Sequence, residues 1–215
     1  MGVRVKFCGL TRAEDARVAA ALGASFVGAV FAGGPRQLSP RQAHDVLGAA
    51  GTLPERVGVF GSASADAIAR MARESAVTIV QMHDDPRAAD VRAIRERFGG
   101  RVWAAARTSG SLLPEWAEEL FRAADAVLLD ARVSGGLGGT GVTLEWRALA
   151  RSLEDLRGDT PVVLAGGLRP ENVAEAIRLL APDVVDVSSG VETAPGVKDH
   201  ARMRAFVEAV RSAAP

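Results

Sequence analysis

The chain has 215 residues, 48% of them hydrophobic, with 26 basic side chains balanced by 26 acidic ones and a single cysteine. Such a composition excludes a disordered chain, and its zero formal charge gives no electrostatic case for nucleic acid or an anionic membrane as partner. One cysteine excludes an intrachain disulfide framework, no apolar run approaches the roughly 20 residues of a membrane span, and the chain opens on a strand-like run rather than a signal peptide, so a cytoplasmic protein is expected.

Short β-branched runs alternate with Ala- and Arg-rich stretches at helical spacing from end to end. Strands are predicted to begin near Val3, Ser25, Arg56, Val77, Arg101, Ala126, Thr160 and Asp183. Each is followed by a predicted helix, beginning near Arg12, Pro40, Ser64, Pro86, Leu112, Glu145, Pro170 and Asp199. Ser39-Pro40 and Asp85-Pro86 read as caps followed by a proline in the first turn. Eight βα units in a chain of 215 residues, with no linker or charge block between them, predict one (β/α)8 TIM barrel over residues 1–215. A doubly wound open sheet would share the βαβα pattern, so periodicity alone does not close the barrel.

Alternate side chains of a strand face opposite ways. In the first strand Val5 and Phe7 should meet the helices, while Lys6 and Cys8 point inward. The same parity sets Gln81 and His83 opposite Val80 and Met82, Asp130 opposite Leu129, and Asp186 and Ser188 opposite Val185 and Val187. Cys8, His83, Asp130 and Ser188 thus fall at the C-terminal ends of four strands, where barrels of this type build their active sites. The two lysines, Lys6 and Lys198, stand out against 24 arginines and mark positions where a compact ammonium is preferred to a planar fork.

Gly166-Gly167 follows the seventh predicted strand and Ser189-Gly190 the eighth, the two loops in which such barrels often bind phosphate. A third glycine-rich run, Gly135 to Gly141, follows Asp130 and reads as a lid or a close backbone approach to a ligand. The three histidines lack metal-ligand spacing, no Gly-x-Ser-x-Gly elbow is present, and no Gly-x-Gly-x-x-Gly follows the first strand, so no metal, serine-hydrolase or dinucleotide site is expected. The chemistry that remains is proton transfer on a small phosphorylated metabolite, with Cys8 as general base and Asp130 as general acid. A thiolate base needs a nearby cation or helix N-terminus, and Lys6 shares its strand face.

Lys6-Phe7-Cys8-Gly9-Leu10-Thr11, Val57-Gly58-Val59-Phe60, Val80-Gln81-Met82-His83, Leu128-Leu129-Asp130 and Asp186-Val187-Ser188-Ser189-Gly190-Val191-Glu192, with Pro195-Gly196-Val197-Lys198 behind it, resemble the phosphoribosylanthranilate isomerase family in the same order along the chain. The resemblance implies a cofactor-free Amadori rearrangement in tryptophan biosynthesis; a monomer and a homodimer are both open. It implies that Asp130 protonates the furanose ring oxygen and that Cys8 removes the C2′ proton. It also implies that Arg36 holds the anthranilate carboxylate, that His83 and Asp186 touch the substrate, and that the backbone around Gly166, Gly167, Ser189 and Gly190 holds the phosphate. Three places depart from the family pattern. Gly34-Pro35-Arg36 stands where Ser-x-Arg is usual, Asp84 follows His83 in place of glycine, and Gly61-Ser62 replaces Val-Asn. A carboxylate at Asp84 is expected to point away from an anionic substrate. Two other readings are a dual-substrate sugar-phosphate isomerase of histidine and tryptophan synthesis, expected to carry an aspartate at Cys8, and a non-catalytic phosphate-binding barrel, which would have no use for Cys8 and Asp130.

Overall fold

The computed structural model describes residues 2–108, 113–131, 149–150, 152–153 and 156–213. The glycine-rich run at 135–141 and the helix start near Glu145 lie outside the described residues. Eight parallel strands close into a barrel: β1 (Arg4–Phe7), β2 (Phe26–Val30), β3 (Glu55–Phe60), β4 (Ile79–Met82), β5 (Arg101–Thr108), β6 (Ala126–Ala131), β7 (Val162–Leu164) and β8 (Val184–Val187). β8 pairs back onto β1 with Lys6 opposite Asp186, and this register closes the ring. Closure excludes the open sheet that periodicity left possible.

Around the ring pack α1 (Ala13–Ala21), α2 (Pro40–Gly48), α3 (Ala65–Glu74), α4 (Ala88–Arg95), α5 (Ala117–Ala123), α6 (Val173–Leu180) and α7 (His200–Ala213). Local signals set several starts. Ser39 caps α2 in a reciprocal capping box with Gln42, ahead of Pro40. Ser64 accepts from the Ala67 N–H at the start of α3. The predicted Asp85-Pro86 cap is not used: α4 begins at Ala88, and the Asp90 carboxylate accepts from the Arg87 N–H. Asp85 instead takes a positive φ of 45° and turns to Arg107.

Strand parity divides the core in two. Phe7, Val80, Leu129, Val185 and Val187 face outward and pack under the helices, Phe7 against Phe206 of α7. Phe26, Val57, Ile79, Trp103, Leu128, Val163 and Val184 face inward and fill the barrel, with the rings of Phe26 and Trp103 meeting edge to face. A short 3-10 turn (Ser189–Val191) follows β8, then a small antiparallel hairpin, β9 (Glu192–Ala194) with β10 (Val197–Lys198), which the sequence pattern did not reveal. Its turn residue Gly196 has φ +84° and accepts a hydrogen bond from Thr11, tying the end of the last strand to the entrance of α1.

Candidate active site

Three strands that are apolar low in the barrel turn polar one pleat higher. Ile79 gives way to Gln81 and His83, Leu128 to Asp130, and Val184 to Asp186. The predicted inward set is therefore brought together: Cys8, His83, Asp130 and Asp186 are all buried at the C-terminal mouth. Cys8 and Asp130 lie at the ends of β1 and β6, with β7 and β8 between them round the ring.

Lys6, fully buried, organises this mouth. Its Nζ donates to Asp186 Oδ2 at 2.7 Å and to Gln81 Oε1 at 2.9 Å, and its charge acts on Cys8. Burial works against the Lys6 ammonium, but Asp186 and Cys8 outweigh it and hold its pKa above the ordinary lysine value. The lysine therefore stays charged. Burial pushes the Cys8 thiol up, against the pull of Lys6 and Lys198. The site thus favours the Cys8 thiol, and the two lysines supply the field in which its thiolate can form. Room for the pair comes from Gly28 on β2, where a Cβ would sit 3.2 Å from Cys8 Sγ and 3.4 Å from Lys6 Cε.

Beyond Gln81 the polar chain continues. Gln81 Nε2 lies 3.3 Å from His83 Nδ1, and His83 Nε2 lies 3.2 Å from Asp130 Oδ2. The other carboxylate oxygens, Asp130 Oδ1 and Asp186 Oδ1, are buried with no hydrogen-bond partner among the described residues. Buried polar atoms are almost always paired, so two bare oxygens in one mouth point to a ligand that completes them.

Arg36 forms a bidentate pair with Glu192, Nε to Oε1 at 2.9 Å and Nη2 to Oε2 at 2.6 Å. The buried Lys198 donates to the same Oε1 at 2.7 Å and to the carbonyl of Ser188 at 3.2 Å. Burial pushes the Glu192 carboxyl up, but Arg36 and Lys198 outweigh it and hold it below the usual glutamate value. Gly9, at φ +66°, lets the Arg36 stem cross: a Cβ there would lie 2.6 Å from Arg36 Cδ. Arg36 Nη1 takes no part in this pair.

The predicted phosphate loops adjoin each other. Gly166 and Gly167 take φ of 89° and 67°, which favour glycine. Gly190 packs on the Leu168 carbonyl so closely that a Cβ would collide with it. Asn172 holds the first loop in shape, donating to the Gly167 carbonyl and accepting from the Arg169 N–H. Asp84 and Asp85 are both drawn to Arg107 at the end of β5, at 3.2 and 2.8 Å. Asp84 is thereby held against a guanidinium at the rim, which it shares with Asp85. Sequence reasoning assigned no role to Gln81, Arg107 or Glu192; parity had set Gln81 inward, but the partners that define all three are distant in sequence. Both lysines do sit buried in ion pairs. Among the described residues no group of three or more His, Cys, Asp and Glu side chains could hold a metal, and no helix is long and apolar enough to cross a membrane.

Residues 5–209 match the family model described as N-(5′-phosphoribosyl)anthranilate (PRA) isomerase. The N-(5′-phosphoribosyl)anthranilate isomerase of Pseudomonas fluorescens (strain Pf0-1) is 38% identical, over 97% of this chain and 98% of its own. The crystal structure of phosphoribosyl anthranilate isomerase from Thermus thermophilus superposes with a TM-score of 0.85 at 36% identity, covering 98% of this chain and 99% of that one. A further phosphoribosyl anthranilate isomerase, 32% identical with a TM-score of 0.81 over 98% of this chain and 99% of that one, was solved in complex with reduced 1-(o-carboxyphenylamino)-1-deoxyribulose 5-phosphate.

Proposed function

The chain belongs to the N-(5′-phosphoribosyl)anthranilate isomerase family, an enzyme family of tryptophan biosynthesis, and we propose that it performs the family's Amadori rearrangement with Cys8 as general base and Asp130 as general acid. The observation that carries this assignment is the mouth itself: a lone thiol beside a charged lysine on β1, and a carboxyl with one bare buried oxygen on β6.

Asp130 gives a proton from Oδ1 to the furanose ring oxygen. The bond from that oxygen to C1′ breaks, and the anthranilate nitrogen lone pair forms the Schiff base. The Cys8 thiolate then removes the proton from C2′, whose electrons form the C1′–C2′ double bond of the enolamine and neutralise the nitrogen. Tautomerisation delivers the ketone, 1-(2-carboxyphenylamino)-1-deoxyribulose 5-phosphate. Arg36, steadied by Glu192, holds the anthranilate carboxylate through its Nη1. Asp186 Oδ1 accepts from a sugar hydroxyl, and His83 braces Asp130. Backbone N–H groups around Gly166, Gly167, Ser189 and Gly190 hold the phosphate. Each role serves a proton transfer between fixed partners, so no cofactor enters.

Incubating the purified chain with N-(5′-phosphoribosyl)anthranilate tests the reading. Loss of the substrate's anthranilate fluorescence is expected; a protein that folds and leaves the signal unchanged would end it.

A further inference from the structure

Four side chains from three strands form one unbroken line between the two ends of the proposed chemistry: Lys6, Gln81, His83 and Asp130. Their donor and acceptor capacities leave little freedom. A lysine ammonium has three N–H donors and no acceptor, so the Gln81 oxygen, not its NH2, must face it at 2.9 Å. The Gln81 NH2 is then turned toward His83 Nδ1, 3.3 Å away. Two donors cannot face each other, so Nδ1 must be the lone-pair nitrogen and the ring hydrogen must sit on Nε2. That Nε2–H points at Asp130 Oδ2, at 3.2 Å. A proton on Asp130 is thereby excluded from Oδ2 and placed on Oδ1, the oxygen with no partner among the described residues.

We propose that Gln81 is a positioning residue: anchored by Lys6, it fixes His83 in the Nε2–H tautomer and so makes Oδ1 the proton-bearing oxygen of Asp130. The second half rests on Asp130 being the acid; the tautomer itself does not. Because the charge of the same ammonium also favours the Cys8 thiolate, one buried lysine orients the acid and biases the base. An arginine would bring a planar fork in place of a compact ammonium with three divergent donors.

Long-range 15N–1H spectra of the labelled, ligand-free protein read the tautomer directly. The three histidines are separated by comparison with His44→Gln and His200→Gln, whose rings meet Asp45 and Asp15 instead of Gln81 or Asp130. The expected wild-type spectrum shows a pyridine-like Nδ1 and a protonated, pyrrole-like Nε2 for His83. In Gln81→Glu a carboxylate replaces the NH2 donor, and Nδ1 should become protonated. In Gln81→Leu, which keeps an uncharged side chain should the glutamate variant not fold, both tautomers should appear, and kcat should fall about 100-fold, the scale of a misplaced reacting group, with KM within about threefold. A wild-type His83 protonated on Nδ1 would overturn the proposal, as would a pure Nε2–H signature that persists in the Gln81 variants. A wild-type protein with the expected spectrum but no turnover would instead refute the isomerase reading and leave the tautomer assignment standing.

Discussion

Inside the barrel, Ile79, Leu128 and Val184 lie one pleat below Gln81, Asp130 and Asp186 on the same three strands, yet the two levels hold together by different forces. The lower level is apolar and interlocked, and each fully buried side chain of this kind is worth about 1.5–3 kcal/mol of transfer free energy. The upper level buries a lysine, a glutamine, a histidine and two carboxylates, groups that lose hydration and regain it only through each other. Two of the carboxylate oxygens are left bare. The lower level therefore supports the fold, while the upper one is left incomplete for a ligand.

Substitutions can separate the levels. The largest effect is expected at the top: Cys8→Ala and Asp130→Asn should each lower kcat by about 10²–10⁴-fold, the usual worth of a positioned acid or base, with little change in KM or thermal midpoint. If Cys8→Ala kept full kcat, the base would lie elsewhere. Next comes Leu128→Ala, directly below Asp130. Denaturant titration should show a loss of about 2–5 kcal/mol, while the folded fraction turns over near the wild-type rate. A large kcat loss with intact stability at this position would erase the distinction between the levels.

A smaller effect is expected at the rim of the mouth. Glu192→Gln leaves Arg36 and Lys198 facing each other without their shared counter-ion. Steady-state kinetics should show KM raised about tenfold, the scale of one charge-assisted hydrogen bond, with kcat nearly unchanged. A lowered KM would mean that Glu192 competes with the substrate for Arg36 instead of bracing it. The last effect is a shift in a pH profile. Because burial raises the Cys8 pKa, its thiolate fraction at neutral pH lies below that of a free thiol and levels off at higher pH. Cys8 is the sole cysteine, so iodoacetamide labelling reports it alone. The rate should still be climbing above the ordinary thiol value of about 8.5. A plateau below that value would show that Lys6 and Lys198 outweigh burial.

Much of this was legible in the sequence because strand parity has a period of two and does not depend on distant partners. Cys8, His83, Asp130 and Asp186 were set inward from their own strands, and the ring bears that out. The excess of arginine made Lys6 and Lys198 conspicuous, and both are buried in ion pairs. What stayed hidden depends on partners far apart in the chain. Gln81 gains its meaning from Lys6, 75 residues earlier, and Glu192 from Arg36, 156 residues earlier. Asp85-Pro86 carried a sound local helix-start signal, but Arg107 on the next strand drew Asp85 away. The hairpin of β9 and β10 escaped because two- and three-residue strands have too little periodicity to read.

The pairing of Lys6 with Asp186 spans 180 residues and that of Asp15 with the Lys198 backbone 183. During synthesis the first lysine thus waits for nearly the whole chain before its counter-ion exists. Until β8 arrives it is a cation with no place in a core, and a chain interrupted before Asp186 keeps it so. Lys6 therefore also works as a check on completeness: its ion pair beside Cys8 forms only when the last strand has closed the ring.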